Sequence, residues 1–533
     1  MRGYPNHFFS LGALMKLKQI AIASLVAVAG SSFAQTTLPC DKSTAQNFVN
    51  TCAPNKTFFI AGASALGDAV SSVVVSTFFD TAALPNIPNG FVEVVDMGSP
   101  SGHGVINPTN NGKAGQGVKA WYGMSKINPG ETLFVVYNSY MGSAAGVSNV
   151  MSDAKLLNAT TVPESLVVTV GPSTTGKGNT AVTTANNCAL VTAALPIPGE
   201  TKTVSAAANK VACTTTAVTR ADIGLSDVDA QELVGFYGSA IKGGATKFPA
   251  ALALMQRDVL GMQGFGVAVN KNFYGALQAA QGLNTGACAP APGPTDYIYT
   301  EACQPTITRA QYAGLANVEG GIKSAAGFIP GSTEMLTLAR RDPLSGTQAA
   351  SEMYFGAVGC NKLDPKSKIN TRGGALTTRD STADVSGSFK VNLNVQTSNV
   401  ETDLSLATGY TIGVVTLSKA TSSAYRFVKL NGVSPNFLKG GTSPSLAAVR
   451  TNMIEGLWDF QVASFAIYPK AAVLPAAPKV ALINAMVSAM GDSGKVAGGL
   501  PAISYLRGTA TDLHTKVTRY NGNNCSPLIS RNN

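Results

Sequence analysis

Residues 335–356 read MLTLARRDPLSGTQAASEMYFG. The apolar run Met335–Ala339 reads as a strand, Asp342-Pro343 breaks it, and Ser345-Gly346-Thr347 opens an Ala-rich run with helical patterning. Such a loop ends on a helix N-terminus, whose unpaired N–H groups and partial positive charge favour an anion. Ser345 and Thr347 add hydroxyl donors, Gly346 lets a ligand approach the backbone, and Arg341 supplies a guanidinium. The competing reading is an ordinary Ser/Thr cap beside a surface arginine paired with Asp342.

The same construction recurs along the chain. Residues 57–82, TFFIAGASALGDAVSSVVVSTFFDTA, give a strand, a small-residue turn containing Ser64 and Ala65, then a helical pattern. Residues 91–104, FVEVVDMGSPSGHG, run from an alternating strand into a Gly/Ser loop with Ser99 and Ser101. In ADIGLSDVDAQELVGFYG (221–238), Asp227 and Asp229 open a helix as N-terminal acids. Further strands are expected at GFGVAVN (264–270) and YTIGVVTLS (410–418), the α/β pattern continues through ITRAQYAGLANVEGG (307–321), and helical patterns appear in 444–458 and 478–490. Strands alternating with helices indicate an α/β fold with helices on both faces of its sheets. Strand-to-helix loops of this kind can meet where two lobes face each other, in the crevice beyond the strand ends. Residues 105–220, rich in Thr, Ala, Asn and Gly, read as a β/loop-rich insertion, in which Tyr137–Gly146 (YNSYMGSAAG) offers one more small-residue loop.

The 533 residues are 45% hydrophobic and 13% charged, enough apolar surface for a sizeable core and for two or three domains. The formal net charge of +10 is spread thinly. Without a Lys/Arg run or basic-aromatic interleave, nothing marks a nucleic-acid surface, whereas a mildly positive field favours small anions. From Met15, MKLKQIAIASLVAVAGSSFAQ reads as a signal peptide over 15–34 with Ser32-Phe33-Ala34 before the cleavage point, and residues 1–14 as an over-called start. At about 15 residues its apolar core is short for a spanning helix, and no stable membrane span is expected elsewhere.

All eight cysteines, at 40, 52, 188, 213, 288, 303, 360 and 525, follow that segment, and an even count in an exported chain makes disulfides the default. Near neighbours suggest Cys40–Cys52, Cys188–Cys213 and Cys288–Cys303, leaving Cys360 with Cys525. A zinc site is disfavoured because no Cys-x-x-Cys occurs and only His103 and His514 follow the signal segment. No cofactor is expected.

The ordered segments AGASA, MGSPSG, IGLSDV, GFGVAVN, ITRAQYAGL, RDPLSGT and GYTIGVV resemble the phosphate-binding proteins of bacterial phosphate ABC transporters, from about residue 56 to 435. The resemblance implies a two-lobed periplasmic-binding-protein fold of type II, the Venus flytrap. Lobe 1 would span 56–264 with the insertion at about 105–220, lobe 2 residues 265–424, and 425–533 would return to lobe 1 and add a C-terminal extension. It implies a ligand set of Arg341, Ser345, Gly346 and Thr347, with Ser64 and Ala65 in the first loop, Ser99 or Ser101 in the second, and Asp227 as the discriminating acid. An ionised carboxylate only accepts hydrogen bonds, so Asp227 would admit a protonated phosphate and repel sulfate. The implied protein is a monomeric, periplasmic, secreted or surface-held receptor that binds phosphate or a similar oxyanion and hands it to an ABC permease. The alternative is a scaffold of the same fold turned to adhesion, assembly or capture of a larger organic phosphate. The sequence departs from the family in the distance between Ser101 and Asp227 and in Ala65, where an aromatic is usual.

Enzymatic readings fit poorly. Gly171–Gly178 has phosphate-loop spacing, but Gly178 stands where magnesium binding needs Ser or Thr. Gly491-Asp492-Ser493-Gly494 is similar to a serine-protease nucleophile loop, but His514 follows it in the chain rather than preceding it. A phosphatase would need clustered metal ligands or a nucleophile with a base.

Overall fold

A computed structural model describes residues 40–531 except 97–117, 140–141, 151–164, 169–171, 175–182, 186–187, 197–202, 214, 220, 231, 234–251, 291–296, 318–320, 343–344, 357–386, 395, 407, 471–476, 497–498 and 520–523. Its main sheet has fourteen strands. In chain order they are β1 (Lys56–Gly62), β2 (Phe91–Asp96), β3 (Val118–Met124), β4 (Thr132–Asn138), β5 (Ala189–Leu190), β6 (Lys210–Cys213), β7 (Ile223–Ser226), β8 (Met255–Val269), β9 (Leu336–Arg341), β10 (Phe389–Asn394), β11 (Tyr410–Thr416), β12 (Arg426–Phe427), β13 (Gln461–Pro469) and β14 (Ile503–Ser504). The helices that matter are α1 (Ala45–Thr51), α2 (Gly67–Val73), α3 (Gly142–Val150), α4 (Lys271–Ala280), α5 (Arg309–Ala316), α6 (Gly346–Gly356), α7 (Thr397–Leu404), α8 (Leu446–Ile454) and α9 (Ala477–Gly491).

Across the sheet the order is β10-β9-β11-β8-β13-β7-β1-β4-β3-β2-β6-β5, with β12 and β14 on β8. The long strand β8 joins two halves. Its residues Met255–Gly264 pair antiparallel with β13, and Phe265–Val269 pair antiparallel with β11. Each half has a parallel core: β4-β1-β7 in the first and β10-β9-β11 in the second. This is the mixed α/β architecture expected from alternating strands and helices, with its two halves joined through β8.

Residues 118–138, assigned from sequence to the insertion, instead form β3 and β4 of the main sheet, and β4 lies beside β1. The reason is burial on both faces. Leu133, Val135 and Tyr137 of β4 enter the core with Val70, Val73 and Met486 from α2 and α9. Phe134 and Val136, on the opposite face by strand alternation, pack with Phe48 and Val49 of α1. Strands covered on both sides read as continuous apolar runs. The later part of the insertion contributes β5, β6 and two-stranded ribbons such as Ser165–Val168 with Thr215–Thr219.

Three disulfides form as the spacing suggests: Cys40–Cys52, Cys188–Cys213 and Cys288–Cys303. The first two staple α1 and the β5–β6 edge, and Asn50 ties them together by donating to Cys188 O at 3.0 Å. Cys525 is also disulfide-bonded, while Cys360 lies outside the described residues. No helix among the described residues is long and apolar enough to cross a membrane.

Candidate functional site

The C-terminal ends of the parallel strands from both halves meet. β1 leads into Ser64, β4 into Ser143 at the start of α3, and β7 into Asp227. From the other half, β9 ends in Arg341 and runs through Ser345 into α6, and β10 ends in Asn394 before Thr397 opens α7.

Arg341 is 2% exposed, so it is not the surface arginine of the competing reading. Its Nη1 donates to Ser64 Oγ at 3.0 Å and to Thr397 Oγ1 at 2.9 Å, and its Nε donates to Asn394 O at 3.2 Å. Arg340 points to the other face of β9, as alternation requires, and pairs with the buried Glu352 at 3.3 Å.

Asp227 is 1% exposed. Its backbone N–H donates to Ser143 Oγ at 3.0 Å, and Thr347 Oγ1 donates to its Oδ2 at 3.2 Å. Among the described residues its Oδ1 is buried with no hydrogen-bond partner. Burial pushes the carboxyl up to about 6, against the opposing pull of the Arg341 charge, the Thr347 hydrogen bond and the nearby Ser143 and Gln263 side chains. Asp229, the neighbouring acid, instead pairs with Arg257 at 2.8 Å.

Close backbone approaches seat these loops. A Cβ on Gly146 would fall 2.5 Å from Leu225 O, so only glycine lets α3 settle on β7 and carry Ser143 to the junction. A Cβ on Gly346 would fall 2.1 Å from Ser143 Oγ and 2.8 Å from the Asp227 Cβ. The start of α6 therefore abuts the first half directly. Ser345 is buried and its Oγ accepts the Gln348 N–H at 3.4 Å, the cap of α6. Ala65 is buried beside Ser64.

The structure thus brings together Ser64, Asp227, Arg341, Gly346 and Thr347, with Ser345 and Ala65 adjoining. Ser99 and Ser101 lie outside the described residues, as does His103. Sequence reasoning did not single out Ser143 or Thr397. The signal for Ser143 was the MGSAAG loop after a buried strand, and that for Thr397 was the alternation of FKVNLN before QTSNVE. The Ser493 hydroxyl and His514 Nε2 do meet, at 3.2 Å, but Ser493 is 2% exposed and its Oγ accepts the Ala510 N–H, so the pair fastens a turn. No cluster of three His, Cys, Asp or Glu able to hold a metal occurs among the described residues.

Neither a family model nor a curated protein matches the sequence. Solved structures do. A substrate-binding protein assigned to a phosphate ABC transporter, with bound phosphate, from Clostridium perfringens is 10% identical over 81% of this chain and 92% of its own, with a TM-score of 0.35. Several of the solved structures similar to this chain are phosphate-binding or phosphate-transport proteins by name. They include an ABC-type phosphate transport receptor from Vibrio cholerae, at 14% identity over 50% of this chain and 74% of that one, TM-score 0.27. A phosphate-binding protein from Stenotrophomonas maltophilia shares 11% identity over 54% and 80%, TM-score 0.30. At such values the chemistry of the site stands on its own residues.

Proposed function

We propose that the junction of the two halves binds inorganic phosphate, or a closely related protonated tetrahedral oxyanion, and that the protein is an exported receptor that passes this anion to an ABC permease. The observation that carries the reading is the buried Asp227 Oδ1, which has no partner among the described residues yet lies in a site with Arg341, Ser143 and Thr347. A buried carboxylate oxygen left unsatisfied costs about 1–3 kcal/mol or more. A phosphate hydroxyl supplies the missing donor, whereas fully ionised sulfate brings only acceptors and faces the carboxylate's charge. Arg341 and the N-termini of α3, α6 and α7 supply the positive potential that holds the rest of the anion. The chemistry is recognition alone.

Equilibrium dialysis with labelled phosphate tests this. Competition by arsenate and none by sulfate is expected. Equal competition by sulfate would overturn the role of Asp227.

A further inference from the structure

We infer that Thr397 is a positioning residue for Arg341 and presents a further hydroxyl to the bound oxyanion, an inference that rests on the phosphate reading above. The turn between β10 and α7 grips the guanidinium at two points. Asn394 O accepts from Nε at 3.2 Å and Thr397 Oγ1 accepts from Nη1 at 2.9 Å. Two acceptors only three residues apart fix both the position and the plane of a group that is otherwise free to rotate on a flexible stem.

The turn itself is held firmly. Asn399 Oδ1 accepts the Gln396 N–H at 3.1 Å at the start of α7, and Asn394 Nδ2 donates to Asp403 Oδ2 at 2.8 Å. Val400 is fully buried, and a Cβ on Gly413 of β11 would sit 3.2 Å from its Cγ1. Thr397 is 6% exposed, so its hydroxyl is no solvent group.

Thr397 also reaches the other half. Its Oγ1 lies 3.2 Å from Ser64 Oγ, and both oxygens accept from the same Arg341 nitrogen. Each hydroxyl carries one hydrogen. If one donates to the other, the second keeps a hydrogen for an anion oxygen, beside the guanidinium. The three residues form one unit across the junction, with Thr397 as the part rooted in the second half.

Titration calorimetry with inorganic phosphate on the wild type, Thr397→Val and Thr397→Ser tests the assignment. Valine keeps the shape and removes the hydroxyl. Affinity is expected to fall about tenfold to a hundredfold in the valine variant, the range for a hydrogen bond to a charged group, and to return to within about threefold in the serine variant. In an Arg341→Lys background the valine change is expected to cost clearly less than in the wild type, because the part of its effect that runs through the arginine is already gone and only the direct hydroxyl contact is left to lose. Wild-type affinity in Thr397→Val, or a full additive loss in the lysine background, would overturn the inference. A wild type that binds no phosphate would instead overturn the underlying reading.

Discussion

Thr347 donates its hydroxyl to Asp227 Oδ2 at 3.2 Å, joining the start of α6 in one half of the molecule to the end of β7 in the other. The contact links residues 120 positions apart in the chain. It places a carboxylate against the helix terminus and arginine that attract an anion. Such an arrangement lowers affinity for anions in general and favours one that brings its own hydrogen.

Replacing that carboxylate by an amide separates stability from selectivity. The folded-state pKa of Asp227 is raised to about 6, so its contribution to stability is present below the ordinary carboxylate range and is lost as pH rises through about 6. Without phosphate, Asp227→Asn is expected to be more stable than the parent at neutral pH by about 3 kcal/mol, and no more stable near pH 4. Thermal unfolding across that interval checks the trend, and parallel profiles would contradict it. The same variant is expected to lose its preference for phosphate over sulfate.

Arg341→Lys keeps the charge but not the geometry. A single ammonium cannot reach Asn394 O, Thr397 and Ser64 as the guanidinium does. Phosphate affinity should fall by about tenfold or more, with far-ultraviolet circular dichroism unchanged. An unchanged affinity would remove Arg341 from the site.

Gly346→Ala tests the closeness of the two halves. Its Cβ would fall 2.1 Å from Ser143 Oγ, so the junction must part to admit it. Weaker phosphate binding and a larger radius of gyration in phosphate-saturated solution are expected. The double variant with Ser143→Gly should recover part of the loss, and no recovery would exclude this contact as the cause.

Loss of the Cys188–Cys213 bridge acts elsewhere. Both cysteines are buried with Phe48, Tyr122 and Val211 at the outer edge of the sheet, well along the strand order from β7. Changing both to serine should destabilise the protein by about 2–4 kcal/mol and leave phosphate affinity within about twofold. Equilibrium unfolding in denaturant measures the first and calorimetry the second.

The strand and the helix on either side of Ser345-Gly346-Thr347 were legible because the pattern is local: an apolar strand, a Pro break and a Ser-Gly-Thr helix start lie within a few residues. Asp227 was legible through the SDV segment after an apolar strand. The three near-neighbour disulfides followed from spacing. What the chain could not reveal was which strand stands next to β1. Both β2 and β4 are followed in the sequence by Met-Gly-Ser, and only the register of β1 with Leu133–Asn138 decides that Ser143 reaches the junction. The length of β8 was hidden as well, since Gln256, Arg257 and Asp258 interrupt its apolar pattern where it carries partly exposed side chains. Thr397 was missed because FKVNLN is only half buried and reads as polar chain.

The most direct test of the account is a calorimetric titration of the purified protein, freed of anion by unfolding and refolding, with phosphate and then with sulfate at fixed pH and salt. The account predicts one phosphate bound per chain and no sulfate heat at equal concentration. Absence of a phosphate signal from correctly refolded protein would contradict it.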